Sequence, residues 1–210
     1  MLSSKTRSSR RLTSFVARFN ASGDSPAAQL AAFAAFLAWA GETLARIEPE
    51  ETGAARESSL DELESVCCRA VYDRLFAAFS SEPADAELFA KLEAMQPIEP
   101  GAFEATNVNE DTAAVIAGLL AKINAMRTPA EKLSCLVNAC KLVSGMVSLG
   151  GGEGAGADAF LPALIFCVAR ARPAAAWANL AFTRHLRRAE ALQGEADYYL
   201  TAYESALEFL

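Results

Sequence analysis

Few side chains in this sequence have the types and spacing that catalysis or metal binding requires. The 210 residues contain one histidine, His185, which excludes a zinc site with several histidine ligands and leaves any Ser-His-Asp triad dependent on that residue. It lies among arginines, without a carboxylate nearby in sequence, which favours a surface histidine. Cys67 and Cys68 are adjacent, and Cys135 and Cys140 are five residues apart, which are not metal-ligand spacings. We therefore expect reduced thiols, with Cys135 and Cys140 in the core, and no metal or cofactor.

A glycine-rich run from Gly150 to Gly156 has the composition of a phosphate-binding loop but not its context. A phosphate-binding P-loop follows a strand and ends in a Lys-Ser or Lys-Thr pair. This run follows a helical pattern, and no such pair comes after it. We interpret residues 150–157 as a flexible connector.

Two short segments remain as candidates for a site. In the first, Asp158 precedes a nearly continuous apolar stretch, which predicts an N-cap residue with Pro162 in or near the first helical turn. In the second, Tyr198 and Thr201 are three residues apart and share a helix face. A different, more apolar stripe of that helix contains Tyr199, Tyr203, Ala206 and Leu210. Read locally, these candidates are a helix cap and partly buried or unremarkable side chains.

The charge of the chain limits its partners. The sequence has 19 basic and 26 acidic residues and a formal net charge of −7. Nucleic acids and anionic membranes bind net positive faces, so neither is expected as a general partner. One segment, 159–189, contains five arginines and no acid. It is either a contact face for an acidic or phosphorylated partner or a solvated helical face.

The elements that must position these residues are helical in pattern from end to end. Alanine and leucine dominate, and no segment alternates polar and apolar residues for long enough to predict a strand. Helix starts are indicated by Ser25 before Pro26, by Asn109, and by the capping box at 128–131. The apolar helix that begins at Phe160 should be buried on nearly all sides. The sequence therefore predicts an all-α fold.

No transmembrane segment is predicted from the apolar runs. The uninterrupted apolar run 160–169 has ten residues, whereas spanning a bilayer takes about 20. The Ala- and Phe-rich stretch 27–40 is also short and contains Gln29. Residues 1–18 are basic, rich in serine and free of acids, like a transit peptide. The apolar spacing at residues 12–19 favours a frayed basic tail running into a first helix.

Several short motifs, in order and at matching spacing, resemble the vacuolar protein sorting nine (Vps-nine) domain family from Thr128 to Leu210. The motifs are Thr-Pro-Ala-Glu-Lys-Leu (128–133), Asn-Ala-Cys-Lys (138–141), Ala-Asp-Ala-Phe-Leu-Pro (157–162), Asn-Leu (179–180), Leu-Gln-Gly-Glu (192–195) and Tyr-Tyr-Leu-Thr (198–201). Residues 63–95 and 12–19 resemble the helical bundle that precedes this domain in Rabex-like and plant members. The resemblance implies a helical bundle at 10–105 packed on a layered α-helical exchange domain at 106–210.

The resemblance also implies a function. Members of this family promote GDP release and GTP loading on small GTPases of the Rab-five subfamily in early endosomal and vacuolar trafficking, without covalent chemistry. The residue that matches the family's aspartate finger is Asp158, which would enter the nucleotide pocket of the GTPase. Pro162 would shape the helix start against the switch regions. Tyr198 and Thr201 would lie beside Asp158, orient it and contact the switch segments.

Some residues depart from the family pattern. Ala159 replaces a second acidic residue that often follows the finger, and His185 and Leu186 replace an Arg-aromatic pair. The chain stops at Leu210 inside an apolar helical pattern, which suggests a fragment or an abbreviated member. The alternative to an exchange factor is a non-catalytic, GTPase-binding helical scaffold of the same fold. The partner implies a cytoplasmic protein recruited to early endosomes, with peripheral membrane association.

Overall fold

The computed structural model describes residues 2–50, 52–80, 83–150 and 156–210, and within them every regular element is a helix, as predicted. The α-helices of these ranges are α1 (Leu2–Ala21), α2 (Pro26–Ile47), α3 (Gly53–Ser80), α4 (Pro83–Ala94), α5 (Glu110–Ala121), α6 (Pro129–Gly150), α7 (Gly156–Ala171), α8 (Ala176–Leu186) and α9 (Glu195–Phe209). Short 3-10 turns lie at Pro100–Phe103, Lys122–Ala125 and Ala189–Ala191.

The chain divides into two compact units, Met1–Ser81 and Glu82–Leu210. Helix α4 belongs to the second unit and packs against α8. The sequence-based boundary between residues 105 and 106 lies inside this unit. The assignment of 10–105 to a bundle and of 106–210 to an exchange domain stays a prediction.

The first unit is built around aromatic side chains of α1 and α2, and both helices pack on α3. The rings of Phe15 and Phe36 stack with their centroids 3.9 Å apart. Arg74 of α3 donates hydrogen bonds to the carbonyl oxygens of Asn20, at 2.9 Å, and Ser22. These bonds satisfy carbonyl groups that the end of α1 would otherwise leave unpaired.

Most predicted helix starts are confirmed by their hydrogen bonds. The side chain of Asn109 accepts from the N–H of Thr112 at 2.9 Å. In the capping box, Thr128 Oγ1 accepts from the N–H of Glu131 at 3.1 Å, and the Glu131 carboxylate accepts from the N–H of Arg127. These side chains replace the helical partners that the first N–H groups of a helix lack.

The limits of the first helices differ from expectation. Helix α1 already begins at Leu2, and Ser25 caps α2 as predicted, accepting from a backbone N–H at 3.4 Å. Helix α3 begins at Gly53 and includes the acidic residue Glu57 in its second turn.

Two helices are longer than the apolar runs suggested. By length and composition alone, α2 and α6 could each cross a membrane, and the bent pair formed by 158–171 and α8 would be a third candidate. Helix α6 packs against α5, α7, α8 and α9, which explains its apolar composition as that of a core helix. The absence of a transmembrane segment stays a prediction.

Helix α7 is the central element of the second unit, as its apolar sequence predicted. It packs against α5, α6 and α9. Every residue from Ala163 to Ala169 is buried. A helix covered on all sides can present polar groups to a partner only at its ends. The first turn of α7 is therefore a candidate for the functional site.

A buried lysine links three elements of this unit. Lys132 of α6 is fully buried, and its Nζ donates to the carbonyl of Ile123 at 3.1 Å and to Asn179 Oδ1 at 2.6 Å. The same ammonium lies 5.5 Å from the centroid of the Phe182 ring. Asn179 in turn donates to Asn124 Oδ1 at 2.5 Å. Sequence analysis missed this network, because Lys132 reads as an ordinary helix residue.

Helix α8 begins with a cap supplied by another helix. Its own N-cap residue, Ala175, has no side chain that can accept a hydrogen bond. The buried carboxylate of Asp85, on α4, accepts from the N–H of Trp177 at 2.7 Å and from the N–H of Ala178 at 3.0 Å. The negative charge also lies at the positive end of the α8 dipole.

We expect Asp85→Ala to lower the unfolding free energy by about 2 kcal/mol, because it leaves the N–H groups of Trp177 and Ala178 without an acceptor. Asp85→Asn keeps one side-chain oxygen and should lose about half as much. Urea unfolding followed by circular dichroism measures both. Glu87→Ala, at an exposed position of the same helix, is the matched control. Equal losses in the Asp85 and Glu87 variants would contradict the capping role.

The buried ammonium should make stability depend on pH. Burial lowers the pKa of Lys132 from 10.5 to about 8. Between these values the unfolded chain binds more protons than the folded one, so the contribution of Lys132 to stability rises with pH. Across this window we expect the unfolding free energy of the wild type to gain on the order of 3 kcal/mol relative to Lys132→Met. A difference that stays constant from pH 8 to pH 10.5 in urea titrations would contradict this.

Candidate functional site

The carboxylate of Asp158 lies at the N-terminal end of the central helix. The N-cap prediction is wrong, because α7 begins at Gly156 and Asp158 is its third residue, exposed in the first turn. There the carboxylate faces the positive end of the helix dipole. The connector predicted for 150–157 falls largely on residues 151–155, which lie outside the described residues, and α6 continues to Gly150.

Pro162 lies inside α7 and removes one backbone hydrogen bond from its first turn. It is the seventh residue of the helix and is half-buried. A proline has no N–H, so Pro162 cannot donate to the carbonyl oxygen of Asp158, four residues earlier. The backbone that carries the carboxylate therefore has one helical hydrogen bond fewer than an ordinary first turn.

Tyr198 and Thr201 share one face of α9, as predicted, but that face is exposed, and Tyr198, expected to be partly buried, is 60% exposed. The predicted apolar stripe of this helix is buried: Tyr199, Tyr203, Ala206 and Leu210. The Tyr198 ring stacks on Phe160, with centroids 6.1 Å apart and an interplanar angle of 25°. Phe160 follows Asp158 by two residues and also contacts Tyr199, at 5.9 Å between centroids. The second turn of α7 therefore packs against the start of α9.

The elements that meet here also expose apolar surface. Leu161, next to Phe160 on α7, is 37% exposed, and the Tyr198 ring is more exposed still. Exposed apolar and aromatic side chains on the same domain surface as an exposed acid suit a protein partner better than a small polar substrate, because aromatic residues supply much of the energy of protein interfaces.

Three of the five arginines of the segment 159–189 pair with acids of neighbouring helices. The pairs are Arg170 with Glu110, Arg172 with Glu93, and Arg184 with Glu204 at 2.6 Å and Asp197 at 3.8 Å. Each pair joins α7 or α8, or the turn between them, to another helix. Partly exposed pairs of this kind contribute about 1 kcal/mol or less each. The pattern favours a solvated, ion-paired surface over a site for a phosphorylated partner.

The other chemical candidates do not form a site. His185 is exposed, as expected, and one ring nitrogen lies 2.8 Å from the carbonyl oxygen of Ala181. All five cysteines are buried free thiols, as expected for Cys135 and Cys140. Burial raises the pKa of Cys67 to about 11 and that of Cys167 to about 12. Within the described ranges, no group of three or more His, Cys, Asp or Glu side chains is arranged to hold a metal ion.

Comparison with known proteins identifies the domain that carries Asp158 and Tyr198. Residues 114–210 match the family model described as Vacuolar sorting protein 9 (VPS9) domain. The chain contains a VPS9 domain. The family resemblance read from the short motifs is confirmed.

The similarity of this chain to known proteins extends beyond the VPS9 domain. The chain is 31% identical to Vacuolar protein sorting-associated protein 9A of Arabidopsis thaliana, over 96% of this chain and 41% of that protein. It is 29% identical to Vacuolar protein sorting-associated protein vps901 of Schizosaccharomyces pombe, over 83% of this chain and 33% of that protein. It is 25% identical to the Rab5 GDP/GTP exchange factor of Homo sapiens, over 80% of this chain and 35% of that protein. The chain therefore spans about two fifths or less of these curated relatives.

All four predicted site residues lie within the VPS9 domain, Asp158 and Pro162 on α7 and Tyr198 and Thr201 on α9. The residue that joins these helix starts is Phe160. Sequence analysis treated it only as the beginning of an apolar helix, because its partner ring is 38 residues further along the chain and no local pattern indicates the contact.

We expect the five thiols of the folded protein to react slowly with a thiol-specific disulfide reagent at pH 7.5, because they are buried and remain protonated. In urea, five thiols per chain should react at the rate of glutathione. Absorbance of the released thiolate measures both phases. A cysteine of the folded protein that reacted as fast as glutathione would contradict the view that these residues belong only to the core.

Proposed function

We propose that this chain is a guanine nucleotide exchange factor for a small GTPase of the Rab-five type, and that Asp158 displaces the nucleotide. The observation that carries the proposal is an exposed carboxylate in the first turn of α7, inside a VPS9 domain and two residues before Phe160, whose ring packs on the start of α9. The printed name of the human relative, Rab5 GDP/GTP exchange factor, supports the choice of partner. The protein would act in the cytoplasm, recruited to early endosomes for vacuolar trafficking.

The proposed reaction makes and breaks no covalent bond, so the chain is not an enzyme in the covalent sense. The carboxylate of Asp158 repels the β-phosphate of bound GDP and competes with it for the magnesium ion of the GTPase. After the nucleotide leaves, it pairs with the lysine of the GTPase phosphate loop. Unit charges about 4 Å apart in an effective dielectric near 20 interact by about 4 kcal/mol before desolvation. An interaction of that size favours the nucleotide-free state by about a thousandfold.

The neighbours of Asp158 suit this role. Pro162 weakens the hydrogen bonding of the turn that carries the carboxylate, which allows that turn to adjust to the GTPase. Tyr198 presents an exposed ring that is already braced against Phe160, so little side-chain entropy is lost when a partner packs on it. Thr201, one turn along α9, offers a hydroxyl for a polar contact with the same switch segments.

The alternative is a helical scaffold that binds the GTPase without exchange. The position of Asp158 favours exchange, because an exposed acid in a first helical turn stabilises a fold by only about 0.3–1 kcal/mol. Because the carboxylate contributes so little to the stability of the fold, we propose that it acts on the partner GTPase.

Asp158→Asn tests the proposal with almost no change in side-chain volume. We expect release of a fluorescent GDP analogue from a Rab-five-type GTPase to slow by at least about a hundredfold, since a charge-based term of about 4 kcal/mol is lost. The unfolding free energy should stay within about 1 kcal/mol of the wild type. Asp111→Asn is the matched control, because Asp111 is an exposed acid in the first turn of α5.

The outcomes separate the two functions. Loss of exchange in Asp158→Asn but not in Asp111→Asn supports the exchange mechanism, and a panel of Rab GTPases gives its specificity. A folded wild type that binds nucleotide-free GTPase without accelerating GDP release would point to the scaffold. Equal effects in the two variants would show that only overall charge matters.

A further inference from the structure

The Phe160 ring contacts both the buried and the exposed tyrosine at the start of α9. Its centroid is 5.9 Å from that of Tyr199, which is buried, and 6.1 Å from that of Tyr198, which is exposed. The two tyrosine rings are 5.3 Å apart. Aromatic pairs attract one another when their centroids are about 4.5–7 Å apart. The aromatic cluster formed by these three rings therefore extends from the core of the second unit to its surface.

Phe160 is the inner member of its pair with Tyr198. Only 6% of Phe160 is exposed, against 60% of Tyr198. The two rings are close to parallel, with an interplanar angle of 25°. A partner protein can therefore reach the Tyr198 ring far more readily than the ring beneath it. An effect of Phe160 on a partner has to pass through Tyr198.

The polar contacts at the start of α9 are weaker constraints than the aromatic cluster. The N-cap residue, Gly194, has no side chain that could accept a hydrogen bond from the first turn. Glu195, the first residue of α9, forms an ion pair with Lys141 of α6, with N and O atoms 2.7 Å apart. Both side chains are at least half exposed, and exposed ion pairs stabilise a structure only weakly. The packing of Phe160 is therefore the stronger constraint on the turn that carries Tyr198.

We propose that Phe160 is a positioning residue for GTPase binding: its ring holds the exposed Tyr198 ring in the orientation that the GTPase meets. The inference rests on the proposed role of Tyr198 as a contact for the switch segments. A side chain that is already ordered loses less conformational freedom when a partner packs on it, so the partner binds more tightly. Phe160 takes no part in displacing the nucleotide, which is the proposed task of Asp158.

Phe160→Leu tests the inference, because leucine keeps the site apolar but removes the ring. We expect the GTPase concentration at half-maximal GDP release to rise about fivefold, the usual cost of ordering one side chain on binding. The maximal rate should stay close to that of the wild type, in contrast to Asp158→Asn. Tyr198→Ala should raise the half-maximal concentration at least as much. Adding Phe160→Leu to Tyr198→Ala should have no further effect.

Phe166→Leu is the matched control. Phe166 is a fully buried residue of the same helix, and its ring pairs with Phe103, with centroids 6.5 Å apart. Both leucine variants should lower the melting temperature, but only Phe160→Leu should weaken GTPase binding. Phe160→Tyr keeps the stacked ring and should bind the GTPase like the wild type. If Phe160→Leu does not fold, Phe160→Met gives the same comparison, because its flexible side chain refills the space without a ring.

Direct binding of nucleotide-free GTPase to the same variants separates this inference from the exchange function. A wild type that binds without exchanging would overturn the exchange function, and weaker binding by Phe160→Leu would still support the positioning role. A wild type that does not bind would overturn both. Normal binding and exchange in Phe160→Leu, with loss of exchange in Asp158→Asn, would overturn only this inference. Equal losses of binding in the two leucine variants, or a further loss on the Tyr198→Ala background, would also overturn it.

Discussion

The second unit depends on the burial of α7. From Ala163 to Ala169 no side chain of this helix faces solvent, because α5, α6 and α9 enclose it. A helix enclosed in this way has no face available for a partner along most of its length. Its accessible chemistry is confined to its termini, and Asp158 occupies the terminus at which a negative charge is favoured.

Enclosing a helix requires that the polar groups around it be satisfied within the protein. The structure does this over long sequence distances: Asp85 supplies the acceptors that α8 lacks, and Lys132 shares its protons with a backbone carbonyl and Asn179. Not every buried polar group has a hydrogen-bond partner within the protein. Among the described side chains, the buried hydroxyl of Tyr203 has no hydrogen-bond partner. The unpaired hydroxyl offsets part of the stability that burial of the Tyr203 ring contributes.

Local signals in the sequence predicted local structure well. Asn109 and the capping box at 128–131 act within four residues, so the sequence contains both partners of each interaction. Asp158 shows the limit of that reasoning, because an acid before an apolar run resembles a cap, whereas the helix begins two residues earlier. The contacts of Asp85 with α8 and of Lys132 with Asn179 join residues more than 40 positions apart. No periodicity or spacing marks such pairs, and only the packed fold brings them together.

The cross-helix cap has a consequence for where the folding unit begins. The family match starts at residue 114, but Asp85 lies well before it, and Leu88 and Leu92 of the same helix are buried in the core of the second unit. Lys91 also donates to the carbonyl of Leu210 at 3.2 Å. A protein truncated to the matched residues would expose the α8 end, lose part of its core and release its last residue. The second unit therefore needs residues that lie before the start of the family match in order to fold.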